Sequence, residues 1–107
     1  MNKAQANELL AQIGKWNVLA ISGGRALLKI DPNDADEFLL VLPVGKGYRV
    51  EIELTAADDY TVRRVYKRGA KEWVKGEVAG VYCDQIGEIA YQASCYVNVE
   101  FGKEPVA

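Results

Sequence analysis

Hydrophobic and polar residues alternate most clearly in the middle of the 107-residue chain. At 48–54, apolar and charged side chains take turns, which is the period-two pattern of a strand with one buried face. Strand-forming residues follow at 60–67, the glycine-containing stretch 68–71 predicts a turn, and 73–78 predicts the returning strand. These segments together predict an antiparallel meander.

The residues before the meander predict one helix and three further strands. Apolar residues at helical spacing predict an amphipathic helix at 2–13 that ends at Gly14. We interpret 16–22 and 25–30 as two strands joined by a tight turn at Gly23 and Gly24. The nearly all-apolar run 37–42 predicts a short strand buried on both faces, and 43–47 predicts a loop.

The residues after the meander predict a helix at 81–95, because Tyr82, Ile86, Ile89 and Ala93 recur at spacings of four, three and four. Gly87 inside it costs about 1 kcal/mol relative to alanine. Residues 96–107 contain either a last edge strand, at 96–101, or an unravelled tail. The whole pattern predicts a single α+β domain over 1–107. It has an N-terminal helix, an antiparallel sheet of about five strands, and a C-terminal helix packed on the same face.

The charges are unevenly distributed along the chain. Between Arg63 and Lys75 there are six basic residues and one acidic residue, a local charge of +5, whereas the rest of the chain carries 7 basic and 14 acidic residues. The sequence therefore predicts a basic hairpin on an acidic body. No secretory leader and no membrane-spanning run is expected from the pattern of apolar residues, so we expect a location in a reducing cytoplasm.

The inventory of reactive side chains disfavours enzyme and metal chemistry. The chain has no histidine, the commonest general base and metal ligand, and its two cysteines lie too far apart on the predicted helix for a disulfide. No metal and no cofactor is expected. An enzymatic hypothesis would need Asp84, Glu88 and Cys83 gathered in a pocket with a tyrosine. We interpret the two carboxylates as part of a solvated helix face.

The basic hairpin is the most informative candidate surface. Alternation places Arg64, Tyr66 and Arg68 on one side of the strand and Arg63 and Lys67 on the other. Lys71 and Trp73 return on the next strand. Cations interleaved with aromatic rings suit contact with an acidic protein or with nucleic acid. The alternative is that the hairpin has no binding role and is a charged sheet edge that prevents aggregation between sheets. The candidate site residues are Arg63, Arg64, Tyr66, Lys67, Arg68, Lys71 and Trp73.

Several short segments, in this order and spacing, resemble a family of small uncharacterised proteins encoded in tailed-bacteriophage genomes. They are LLAQIG at 9–14, LAISGG at 19–24, the strand at 48–54, DYTV at 59–62, RG at 68–69 and EVAGVYCD at 77–84. The chain departs from the family after Asp84, at Gln85, Ile86, Gly87 and Tyr91. The family carries no activity to transfer. It implies a phage or prophage product that acts in the bacterial host cytoplasm.

The functional expectation is a small phage accessory protein that acts by binding rather than by catalysis. Its first candidate partner is a host or phage protein with an acidic surface, which it would bind, with inhibition as one consequence, through the basic hairpin. The alternative is nucleic-acid binding by the same hairpin, with Tyr66 or Trp73 stacking on bases. Self-association through an exposed edge strand stays open.

Overall fold

The computed structural model describes residues 1–32 and 34–95. Three helices and five strands follow one another in the chain. They are α1 (Lys3–Ile13), α2 (Lys15–Ser22), β1 (Leu27–Asp31), β2 (Asp34–Gly45), β3 (Tyr48–Leu54), β4 (Tyr60–Arg68), β5 (Lys71–Val81) and α3 (Ile86–Ser94). The strands form one antiparallel sheet in the order β1-β2-β3-β4-β5. The predicted α+β class and five-stranded antiparallel sheet are confirmed.

The three helices cover one face of the sheet and enclose the hydrophobic core. The register aligns Leu28, Leu40, Ile52, Val62 and Val78 in one row across all five strands. This row packs against apolar residues of the helices, and Leu40, Ile52 and Val62 are almost fully buried. The period-two alternation in β3 therefore identified the buried face correctly. Residues 39–42 of β2 are buried on both faces, as the apolar run indicated.

The segment interpreted as a strand at 16–22 is instead the second helix, α2. Val18, Ile21 and Ser22 recur at helical spacing and face the interior. Gly23 ends the helix in the left-handed conformation, with φ +66°, and its N–H donates to the Leu19 carbonyl. Gly23 and Gly24 thus follow the C-terminus of a helix and do not form a hairpin turn. The sequence did not distinguish the two structures, because glycines with positive φ suit both.

The bounds of β2 and α3 also differ from the prediction. β2 continues to Gly45, so part of the expected loop at 43–47 is paired strand. α3 begins at Ile86, because 82–85 forms a turn in which the Gln85 N–H donates to the Tyr82 carbonyl. Tyr82, the first residue of the predicted helical stripe, is 58% exposed. The predicted edge strand at 96–101 lies outside the described residues.

Gly87 allows α3 to pack closely against the end of α1. A Cβ atom at this position would lie 2.8 Å from the Ile13 carbonyl oxygen and 2.9 Å from Asn17 Nδ2. Both distances are shorter than van der Waals contact. The lower helix propensity of glycine is therefore offset by helix–helix contact that any larger residue would prevent.

The sheet curls over its helix-free face. Lys29 Nζ of β1 lies 3.6 Å from Glu72 Oε2 of β5 and 3.7 Å from Glu51 Oε2 of β3. In a flat sheet the first and fifth strands would be about 19 Å apart, so these contacts require strong curvature. A register irregularity between Arg64 and Val65 supplies a bend in the β4–β5 hairpin. The curl explains why Leu39 and Val65 are buried without a covering helix.

Candidate functional site

Arg63, at the base of the β4–β5 hairpin, is neutralised by glutamates on the curled face. Arg63 donates to Glu77 Oε2 at 2.7 Å and to Glu53 Oε1 at 3.2 Å. Burial opposes the charged form of Arg63, but the bonds to Glu77 and Glu53 outweigh it, so the net shift of its pKa is upward. Arg63 is thus a structural ion-pair residue in the described part of the chain, and its predicted role in partner contact gains no geometric support.

A second pair of bonds extends this network toward the hairpin end. Arg49 of β3 donates to Glu51 Oε2 at 2.7 Å and to Glu72 Oε1 at 2.6 Å. The hydrogen bond from Arg49 is the largest influence on Glu72 and holds the pKa of that carboxyl below its ordinary value. Glu72 therefore stays ionised and directs its charge toward Arg49 and Lys29.

Arg64 points to the other face and is buried against the end of α3. Its Nε donates to the Ala93 carbonyl at 2.8 Å, and its Nη2 donates to the carbonyls of Gln92 and Cys95 at 3.2 and 3.1 Å. The last turn of α3 has no basic residue of its own, so Arg64 places positive charge at the negative end of the helix dipole. Burial lowers the pKa of Arg64. The sequence-based assignment of Arg64 to an exposed binding surface is therefore corrected: the side chain is 5% exposed.

The end of the hairpin carries three exposed basic residues close together; Lys75, farther along β5, is also exposed and has no ion-pair partner among the described residues. We call Lys67, Arg68 and Lys71 the basic tip. All three are exposed, and none forms an ion pair with the residues described. Lys67 faces Glu72 across the strand pair, but that carboxylate is engaged by Arg49 and Lys29. The positive charge of the tip is therefore directed to solvent.

One further cation lies beside the tip. The Lys67 N–H donates to the Gly47 carbonyl at 2.8 Å, which brings the β2–β3 turn, with exposed Lys46, against the hairpin. Sequence analysis missed Lys46, because only the strand register brings position 46 close to position 67.

An aromatic row runs across the strands next to the tip. Tyr48 of β3, Tyr66 of β4 and Trp73 of β5 are aligned by the register. The Tyr48 and Tyr66 ring centroids are 4.9 Å apart, and those of Tyr66 and Trp73 are 5.7 Å apart in a stacked arrangement. Trp73 is 42% exposed. Tyr66 and Trp73 were identified from sequence, but Tyr48 was not.

The residues of the enzymatic hypothesis do not come together. Cys83 lines a polar cleft of about 270 Å³ with Tyr60, Glu8 and Gln12, whereas Asp84 and Glu88 do not line it. The Tyr60 hydroxyl donates to Gln12 Oε1 at 3.0 Å, and burial raises its pKa, followed by the effect of Glu8. Tyr60 is therefore a poor general base at neutral pH. In the described chain, no group of three cysteine or carboxylate residues is placed to hold a metal ion.

Comparisons with known proteins supply no relative for this chain: no protein-family model, no curated protein and no solved structure matches it. Among the described helices, none has the length and hydrophobicity needed to cross a membrane. The functional argument therefore rests on the geometry of the tip and its surroundings.

Proposed function

We propose that this protein is a small phage accessory protein of the bacterial host cytoplasm that acts by binding. In this proposal the basic tip contacts an acidic surface on a host or phage protein, and binding inhibits that protein where the surface is needed for its own contacts. No catalytic step, metal or cofactor is part of the proposal.

The proposal depends on the unequal pairing of the basic residues along one hairpin. At its base, Arg63 is bonded to two glutamates and Arg64 to the carbonyls that end α3. At its end, Lys67, Arg68 and Lys71 are exposed without an ion-pair partner among the described residues. Like charges held together at a hairpin end repel one another. An acidic partner relieves that repulsion and is steered to the tip during diffusional encounter.

A pull-down from bacterial lysate tests this proposal with three tagged baits, each run with and without nuclease. The first is the wild type, and the second carries Lys67→Gln, Arg68→Gln and Lys71→Gln. The third is a matched control with the same change in net charge, made by Ala20→Glu, Ala57→Glu and Ala79→Glu at exposed positions outside the basic tip. We expect a defined protein, identified by mass spectrometry, to survive nuclease, to be retained by the control and to be lost from the tip variant. Equal recovery by the tip variant, or no nuclease-resistant partner, would contradict the proposal.

Single-stranded nucleic acid is a second candidate partner, and the aromatic row favours it. Trp73 is partly exposed and stacks on Tyr66 beside Arg68 and Lys71, which provides ring faces next to phosphate-binding cations. Three phosphate contacts would give a slope of about −2 in log affinity against log salt. Fluorescence anisotropy with a labelled oligothymidine measures this slope. A slope near zero, or binding unchanged in the tip variant, would eliminate this candidate.

A further inference from the structure

A second surface, formed by α1, α2 and β1, exposes large apolar side chains far along the sequence from the basic tip. Trp16 is 79% exposed, Leu19 42% and Leu27 58%. Trp16 and Leu19 belong to the helix that the sequence pattern did not reveal. The Lys15 ammonium lies 5.8 Å from the centre of the Trp16 ring. Exposed apolar side chains grouped on adjacent elements are typical of an interaction surface.

Leu19 and Leu27 line a groove made of two adjoining hollows, and Trp16 directly follows the lining residue Lys15 without lining the groove itself. One hollow, of about 420 Å³, lies between α1 and α2, and the other, of about 230 Å³, lies between α1 and β1. Leu10 and Ala26 line both, so the two adjoin at these residues. We call this the apolar groove; its apolar lining includes Leu10, Val18, Leu19, Ala26 and Leu27.

The groove is long enough to accept about two turns of a helix. Its lining residues on α1 run from Lys3 to Ala11, which is about 12 Å along the helix axis, or two turns. Ala6, Ala11 and Ala26 are small, so they leave room for larger side chains from an occupant. An amphipathic helix fills such a groove with residues at i, i+3 or i+4, and i+7.

The charges around the groove indicate the sign of the charge that its occupant carries. Lys3 and Lys15 line it, and Arg25 stands between the lining residues Gly24 and Ala26. Among the described residues no acidic side chain lines either hollow, and Glu8 of α1 lines the polar cleft of Cys83 instead. A second copy of this chain would bring these cations against one another in a symmetric contact, which disfavours a homodimer here. An acidic partner is complementary.

We propose that the apolar groove binds an acidic amphipathic helix of a protein partner, with leucine-like side chains at i, i+3 or i+4, and i+7. This site is independent of the basic tip. The two surfaces would let one small domain hold two partners, or two parts of one partner.

The two tryptophans allow the test to report on each surface separately. Trp73→Phe leaves Trp16 beside the groove as the sole tryptophan, and Trp16→Phe leaves Trp73 beside the tip. The probe is a set of capped peptides of about 14 residues. They carry leucines at i, i+3 or i+4, and i+7, and glutamates at positions between the leucines. The matched peptide has the same composition with leucines at every second position, which cannot form one helical stripe.

We expect the helical peptides to shift the Trp16 emission to shorter wavelength in a saturable manner, with no response from Trp73. Leu27→Glu should weaken binding by about tenfold or more. Ile30→Glu is the matched protein control, because Ile30 is also 58% exposed on β1 but does not line the groove, and it should leave the affinity unchanged. Reversing the charge of Lys15 should weaken binding, whereas the tip variant should bind normally. That last result separates this proposal from the proposed function.

Four results would overturn the inference. They are no response of Trp16 to any helical peptide, an equal response to the matched peptide, equal loss of affinity with Ile30→Glu, and unaltered affinity with Leu27→Glu. Phosphatidylglycerol vesicles are a further probe: a Trp16 shift with vesicles and none with peptides would reassign the groove to a lipid surface. A dimer in sedimentation that Leu27→Glu dissociates would reassign it to a second copy of the chain.

Discussion

Replacing Arg64 with methionine should destabilise the domain more than the same replacement of any other cation in the basic hairpin. Methionine keeps most of the buried stem but removes the guanidinium that donates to the carbonyls of Ala93, Gln92 and Cys95. These carbonyls belong to the end of α3, which has no cation of its own in its last turn. The substitution therefore leaves the C-terminus of α3 without the cap that the Arg64 side chain of β4 supplies.

The magnitude follows from the number of bonds and from the cost of burying the charge. Hydrogen bonds that involve a charged donor contribute about 1.5–3 kcal/mol each, but three bonds from one group do not add fully. The downward shift in the pKa of Arg64 comes chiefly from burial, which disfavours the charged guanidinium and works against the three bonds. We expect a loss of about 2–4 kcal/mol, a large fraction of the 5–15 kcal/mol typical of a small domain.

Urea unfolding followed by far-UV circular dichroism measures this loss, and amide exchange in α3 localises it. Arg64→Lys should recover only part, because one ammonium cannot reach all three carbonyls with the geometry of a guanidinium. Arg68→Met is the matched control: position 68 is on the same strand and face but exposed, so its cost should stay within about 0.5 kcal/mol. A cost below about 0.5 kcal/mol for Arg64→Met would refute the capping role.

Three further predictions test other parts of the structure. Gly87→Ala should lower the melting temperature, because the added methyl group would meet the Ile13 carbonyl. The overpacking cost of about 1–3 kcal/mol exceeds the gain in helix propensity. A higher melting temperature would show that α1 and α3 are not in close contact. Glu72→Gln should destabilise the fold more at pH 7 than at pH 3. Because its pKa is lowered in the folded protein, the Glu72 carboxylate stabilises the folded state at pH values above its unfolded pKa of about 4.3. This stabilisation is lost as the pH falls through the folded pKa. An equal effect of the substitution at both pH values would argue against the ion pairs. Asn2→Ala should cost about 1 kcal/mol in urea unfolding, because Asn2 and Gln5 form a capping box at the start of α1, and an unchanged midpoint would contradict that role.

The strands were predictable where alternation and turn residues agreed. β3 was located at its observed bounds because apolar and charged residues alternate along its whole length. α2 was not predictable in the same way, because Trp16 and Leu19 are apolar yet exposed and hide the helical stripe of Val18, Ile21 and Ser22. A short apolar run fits a strand and a helix equally well.

The candidate surface was predictable in part for a similar reason. Charge density along the sequence identified Lys67, Arg68 and Lys71, and the structure places all three at the exposed hairpin end. It could not show that Arg64 caps α3, because that depends on where a helix almost thirty residues later ends. Nor could it bring Lys46 to the tip, since the contact depends on strand register.

The role of the tip is tested most directly by the association rate of the partner recovered in the pull-down, measured by surface plasmon resonance as a function of salt. The baits are the wild type and Lys67→Gln, Arg68→Gln and Lys71→Gln, singly and together. If the tip steers an acidic partner, each neutralisation slows association, the triple variant slows it most, and the differences shrink as salt rises. Association rates that are equal in all variants at low salt would contradict the account.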